Sequence, residues 1–153
     1  MKIFFAAPFS NYIKGNTGIV DESHRNLLCD IKDRLTNADN SVFLAHEREL
    51  WGGAIMPPNE CTPLDYKEII SCDVLIALPH ESGGVHIELG WASAMLKPIV
   101  LLLDQSFKYS PLVLGLGDIT HAKYIWLDQC GIQTAIDECL SWIGEIKKLA
   151  SPS

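Results

Sequence analysis

Three stretches of this chain are apolar without interruption: Ile3-Phe4-Phe5-Ala6-Ala7, Val74-Leu75-Ile76-Ala77-Leu78 and Ile99-Val100-Leu101-Leu102-Leu103. A strand with one face in water alternates apolar and polar side chains, so a run that does not alternate is covered on both faces. Between these runs the apolar residues fall at helical spacing. Val20, Leu27, Leu28, Ile31 and Leu35 form one such face, and Ile132, Ile136, Cys139, Leu140, Ile143 and Ile146 form another. Doubly covered strands that alternate with helices specify a parallel sheet between two helical layers.

The pattern predicts strands over Lys2–Ala7, Ser41–Ala45, Asp73–Leu78, Ile99–Leu103 and Lys123–Leu127. It predicts helices over 19–36, 62–71, 85–96 and 131–149. The second of these opens on Thr62 as N-cap with Pro63 at the first helical position. Residues 8–18 and 104–122 read as long loops, and 46–58 as a short helix or turn followed by irregular chain. The expected fold is α/β, a three-layer Rossmann-like (flavodoxin-like) domain over residues 1–153 with a five-stranded parallel sheet in the order 2-1-3-4-5. In that order ligands bind at the C-terminal ends of the strands, where the crossovers reverse direction.

Composition narrows the partners. A net charge of −7 argues against nucleic acid, which needs a basic surface, while leaving room for a single small nucleotide. The apolar start, Met1 to Pro8, is too short for a secretory leader, and no run approaches a membrane span, so the cytoplasm is the expected location. Five cysteines without a CxxC pair read as reduced thiols in apolar surroundings, not as a zinc site or disulfide framework. No metal or redox cofactor is expected.

The chemistry-bearing stretch follows the second apolar run. Ser82-Gly83-Gly84 joins a strand to a helix; glycines admit an anion to the backbone amides, and a helix N-terminus favours negative charge. The same residues also make an ordinary strand-to-helix turn. Glu88 lies among Val85, Ile87, Leu89, Gly90, Trp91 and Ala92, and a half-buried acid in such a helix needs a reason. An ionised carboxylate there, supported by the helix N-terminus, is a nucleophile. Asp65 is either a helix-capping acid or a second site carboxylate. His46 and Arg48 follow the second strand, where they suit a phosphate or a base carbonyl, or else form a charged surface turn. Phe9 and Tyr12 follow the first strand and either stack on a base or pack.

Together these residues resemble the nucleoside 2-deoxyribosyltransferase superfamily, from Lys2 to about Trp126. The resemblance rests on Ser82-Gly83-Gly84-Val85-His86-Ile87-Glu88-Leu89-Gly90-Trp91-Ala92. It implies that Glu88, in the E-L-G-x-A segment, is the nucleophile and that Asp65 is a site residue. Where transferases of free nucleosides carry an Asp, this chain has Ser82, which resembles the nucleotide N-glycosidase branch: a hydroxyl donates to a phosphate that an acid would repel. Phe4-Phe5-Ala6-Ala7-Pro8-Phe9, Ala45-His46-Glu47-Arg48-Glu49 and Glu60-Cys61-Thr62-Pro63-Leu64-Asp65 are similar to the CMP N-glycosidases of nucleoside-antibiotic pathways. The resemblance further implies that Ser110 reaches the phosphate of a neighbouring subunit, in a homodimer or a dimer of dimers. Where some nucleotide hydrolases place an arginine in the N-terminal loop, this chain has Ser10 and Lys14. The implied activity is hydrolysis of a nucleoside 5′-monophosphate. Base exchange by a transferase and nucleotide sensing without turnover remain the alternatives.

Overall fold

The computed structural model describes residues 1–14, 17–80 and 82–150. Gly15, Asn16 and Glu81 of the expected loops, and the tail Ser151–Ser153, lie outside it. Five strands, β1 (Lys2–Ala6), β2 (Ser41–Phe43), β3 (Val74–Ala77), β4 (Ile99–Leu103) and β5 (Ala122–Trp126), form one parallel sheet in the order β2-β1-β3-β4-β5. Ile3 lies opposite Val74 and Phe5 opposite Ile76. Every residue of β3 and β4 is buried, as the unbroken apolar runs require.

Successive residues of each run enter different half-cores, because side chains alternate across a strand. Ile3, Phe5, Ile76, Val100 and Leu102 pack with Leu28, Ile31 and Leu35 of α1 (Glu22–Asn37) and with Ile136, Cys139 and Ile143 of α6 (Leu127–Ala150). Phe4, Ala6, Leu75, Ala77, Leu101 and Leu103 pack on the other face. Their partners are Ile69 of α3 (Pro58–Ser71) and Val85, Leu89 and Ala92 of α4 (Gly83–Ala94). Two one-turn helices, α2 (Ala45–Arg48) and α5 (Pro111–Leu114), complete the order. Among the described residues no helix is long and apolar enough to cross a membrane.

Several boundaries differ from expectation for local reasons. Helix α1 starts at Glu22, not 19, because the Asp21 carboxylate accepts the N–H groups of Ser23 (2.9 Å) and His24 (3.3 Å). Val20 instead bridges Ile13 and donates its N–H to the Trp51 carbonyl at 2.9 Å. Helix α3 starts four residues before Thr62, on Pro58, whose fixed φ suits the first helical position. Pro63 therefore sits inside the helix, where it can donate no hydrogen bond to the carbonyl of Asn59, an exposed residue. Helix α4 starts at Gly83, inside the turn itself. Gly131, with φ +75°, separates a short turn at Leu127 from the main body of α6.

The segment after α2 is bent tightly. Leu50 and Trp51 both take left-handed backbone (φ +49° and +56°), and Gly52 follows at φ +94°. The bend buries the Trp51 ring, with the Arg25 guanidinium 5.0 Å from its centroid. Gly52 lies directly on Gly18: a Cβ added to Gly52 would sit 1.8 Å from the Gly18 carbonyl oxygen. Backbone cannot yield as a flexible side chain does. Gly52→Ala is expected to lower stability by about 3 kcal/mol in chemical denaturation. Gly144→Ala, in open space within α6, is expected to raise it by about 0.5–1 kcal/mol.

Candidate active site

Helix α1 leaves β1 for one face of the sheet, and α4 leaves β3 for the other, so the neighbouring C-terminal ends of β1 and β3 open a crevice. A cavity of about 610 Å³ occupies it. Phe4–Ala6 of β1 and Ala7 just after it form one wall, with Phe9 and Ser10 beyond. His46 and Glu49 close a second side, Ile55 and Met56 a third, and Cys61 and Asp65 of α3 a fourth. Ser82, Gly83, Gly84, Val85 and Glu88 complete the lining. The fold thus brings Phe9, His46, Asp65, Ser82, Gly83, Gly84 and Glu88 to one cavity. It does not bring Arg48 or Ser110 to that surface.

The turn into α4 is built for its place. Ser82, in extended backbone, caps the helix by accepting the Val85 N–H at 3.4 Å. Gly83 and Gly84 occupy the first two helical positions and are exposed. First-turn N–H groups have no acceptor within their own helix, so these point outward as donors. Because α4 starts at Gly83, Glu88 lies in its second turn, beyond the reach of the strongest dipole effect.

Glu88 is held mainly protonated at neutral pH. Burial pushes its carboxyl up to about 8, the nearby Asp65 carboxylate pushes the same way, and Arg48 opposes both. Asp65 is also raised, first by burial, although Arg48 donates from Nη1 to its Oδ1 at 2.7 Å. Arg48 Nη2 donates to Glu49 Oε1 at 3.0 Å, and Glu49 Oε2 accepts the Met56 N–H at 3.3 Å. The guanidinium, itself off the lining, is thus spent on two carboxylates of the cavity wall. Arg48 Nε is buried and has no hydrogen-bond partner among the described residues.

His46 Nε2 lies 3.0 Å from the Pro8 carbonyl oxygen, and His24 Nε2 lies 2.9 Å from the same atom. A carbonyl only accepts, so both rings carry their proton on Nε2. Burial lowers His46 to about 4, which keeps it neutral with Nδ1 as an acceptor. Its ring packs on Phe9 with centroids 4.7 Å apart. Tyr12 turns to another, smaller cavity of about 230 Å³, stacks on His24 at 3.6 Å, and shares a 2.7 Å hydrogen bond with His80 Nε2. Ser110 caps α5, accepting the Leu112 N–H at 3.2 Å, and is exposed. Lys14 pairs with Asp21 at 2.7 Å, while Ser10 stays on the cavity wall.

Sequence reasoning missed Glu49 and Cys61 as lining residues. In His46-Glu47-Arg48-Glu49 every residue is polar, and nothing in that pattern says which acid turns inward. Glu47 faces out to Lys32 at 2.6 Å, whereas Glu49 is buried. The completed site offers two coupled carboxylates in a largely apolar cavity, with hydroxyl and backbone donors at one end and an aromatic ring and a neutral imidazole at another.

The solution structure of BlsM matches 99% of this chain and 95% of its own, with a TM-score of 0.81 and 33% identity. The structure of Clostridium botulinum CMP N-glycosidase, BcmB, matches 94% of this chain and 98% of its own, with a TM-score of 0.66 and 29% identity. A conserved protein from Enterococcus faecalis V583 shares the fold at 19% identity and a TM-score of 0.63, over 97% of this chain and 98% of that one. No family model matches the sequence, and no curated protein does.

An unfolded glutamate titrates near 4.5, and Glu88 in the fold titrates near 8. Between those values the native state keeps a proton that the unfolded chain releases. The contribution of Glu88 to stability is therefore full below about 4.5 and is lost as pH rises to about 8. Glu88→Gln is expected to exceed the wild type in denaturation midpoint above pH 8, with the difference shrinking to nothing near pH 4.5.

Proposed function

This chain belongs to the nucleoside 2-deoxyribosyltransferase-like family, within its CMP N-glycosidase relationship, and we propose that it hydrolyses the N-glycosidic bond of a nucleoside 5′-monophosphate, CMP foremost. The observation that carries this reading is the half-buried Glu88–Asp65 carboxylate pair, set in one cavity with the Ser82-Gly83-Gly84 helix start.

The mechanism follows retaining glycosidase logic. Ionised Glu88 attacks C1′ while the bond from C1′ to the base nitrogen breaks, and the electron pair leaves with the base. Asp65, whose burial favours its protonated form, takes the proton that Glu88 gives up on ionising and passes it to the leaving base. Water then attacks C1′ of the ribosyl-Glu88 ester, releasing ribose 5-phosphate and regenerating the carboxylate. The Ser82 hydroxyl and the first-turn amides hold the phosphate, where a helix start favours an anion. Phe9 and His46 face the base. The scheme draws on no metal or redox cofactor, and its substrate, an intracellular metabolite, fits a cytoplasmic enzyme.

The reading also assigns a partner, a second copy of this chain that brings its Ser110 to the phosphate. Ser110 is exposed beside Leu112, itself 83% exposed. Over the same half-core, α3 and α4 expose Tyr66, Ile70 and Ile87. Apolar exposure of this kind suits an interface between copies.

A panel of nucleoside monophosphates resolved by chromatography tests the reaction. CMP is expected to give cytosine and ribose 5-phosphate, and Glu88→Ala to lower the rate about a thousandfold or more. A new nucleotide formed with added free base, faster than ribose 5-phosphate appears, would establish a transferase. Tight binding without release of base would establish a sensor. Ser110→Ala is expected to raise KM about tenfold, the scale of one hydrogen bond to a charged group. Mixing Ser110→Ala with Glu88→Ala chains is expected to restore a wild-type KM at half the sites of each mixed dimer, since one site then holds both native groups.

A further inference from the structure

Arg48 stands beside the cavity and spends its charge elsewhere. Its side chain keeps about 20% of its surface, and the Asp65 and Glu49 side chains keep about 16% and 12%. One guanidinium nitrogen meets each acid, and the third, Nε, is buried without a hydrogen-bond partner among the described residues. A surface ion pair formed for solubility would show none of this. Glu49 in turn is anchored, because its backbone carbonyl accepts the Ala54 N–H at 3.0 Å and its Oε2 accepts the Met56 N–H. The bridge thus joins α2, α3 and the segment that carries Ile55 and Met56 into the cavity wall.

We infer that the Glu49–Arg48–Asp65 bridge is a positioning device for the two site carboxylates: Arg48 fixes Asp65 from behind and sets the charge that Glu88 meets, without touching substrate. The inference rests on reading Glu88 as the nucleophile. The groups around Glu88 leave this task to Arg48. Asp65 faces it from α3 and repels it; Glu49 and Glu68 act on Asp65 in the same sense. His46, on the α2 side, is neutral, and the Cys61 thiol on α3 offers no cation. The start of α4 is a full turn away. Arg48 is the cation that opposes the raising of Glu88, and Glu49 shares the same guanidinium through its 3.0 Å hydrogen bond.

The two ends of the bridge should therefore act in opposite directions, which damage to packing would not do. Arg48→Gln is expected to move the acid limb of the kcat/KM profile for CMP hydrolysis upward by about one pH unit, the scale of one nearby charge. Glu49→Gln is expected to move it downward. Arg48→Lys, which keeps the charge and loses the fork, is expected to fall between Arg48→Gln and wild type. A carbon-13 NMR titration of the Glu88 carboxyl in the substrate-free variants should show the same order of shifts. A limb and a titration unmoved by both Arg48→Gln and Glu49→Gln would overturn the bridge. So would a rise in KM alone with the limb in place, which would make Arg48 a substrate contact. Full activity in Glu88→Ala would instead overturn the nucleophile, and the NMR titrations would still decide the bridge.

Discussion

A carboxylate in an apolar cavity is the constraint on which the rest of this structure turns. Water stabilises an ionised acid by many kilocalories per mole, and burial withdraws that help, so the group takes a proton unless other charges intervene. Glu88 is half-buried in such a cavity, and a second acid, Asp65, stands near enough to make its ionisation harder. Such a pair does not serve stability. It is tolerable because α4 is otherwise packed by Val85, Leu89 and Ala92 into the most apolar part of the sheet, which fixes the helix regardless of what Glu88 does. Stability supplied by the half-core is what allows a destabilising group to be held in one geometry.

The sheet supplies that geometry through its connections. Had both crossovers next to the β1–β3 seam gone to one face, the seam would be covered. Because α1 and α4 part there, the backbone of β1 forms a wall, and the α4 start faces it. The remaining sides come from irregular chain, and irregular chain must be fixed by specific contacts. The Gly18–Gly52 approach, the buried Trp51 under Arg25, and the left-handed turn at Leu50 and Trp51 do this for the segment leading to Ile55 and Met56. Non-glycine residues held in left-handed backbone persist where their surroundings over-determine them, and here those surroundings are one side of the site.

What was legible in the sequence follows from range. The three central strands came from unbroken apolar runs, since double burial is a property each run carries by itself, and the order followed from their alternation with helices. Glu88 and the Ser82 turn were legible because the polar exceptions stood out against an apolar background. Arg48 was legible as a site-region residue but not in its orientation, and Glu49 was not legible at all. In a run of four polar residues, inward and outward differ by contacts with Asp65 and Met56, which lie beyond any local pattern. The start of α3 was misplaced because Thr62-Pro63 has the form of a helix start, and only the stronger pair Pro57-Pro58 upstream overrides it. α5 escaped because a single turn around Ser110 has no periodicity to detect.

The loop after β1 shows how far aromatic residues near a site can be from its chemistry. Tyr12 follows the strand as a base-stacking residue would, yet its ring lies flat on His24 and its hydroxyl meets His80, across the seam from Glu88. His24 and His46 then converge on one carbonyl, that of Pro8. A carbonyl that accepts two imidazole N–H groups fixes both tautomers and stops the Pro8 backbone from turning. The loop is therefore held at its root for reasons internal to the fold, and its residues on the cavity wall are Phe9, Ser10, Asn11 and Ile13. Since Phe9 packs on the same His46 that the Pro8 carbonyl holds, the face that Phe9 turns to the cavity is set by that hydrogen-bond pair.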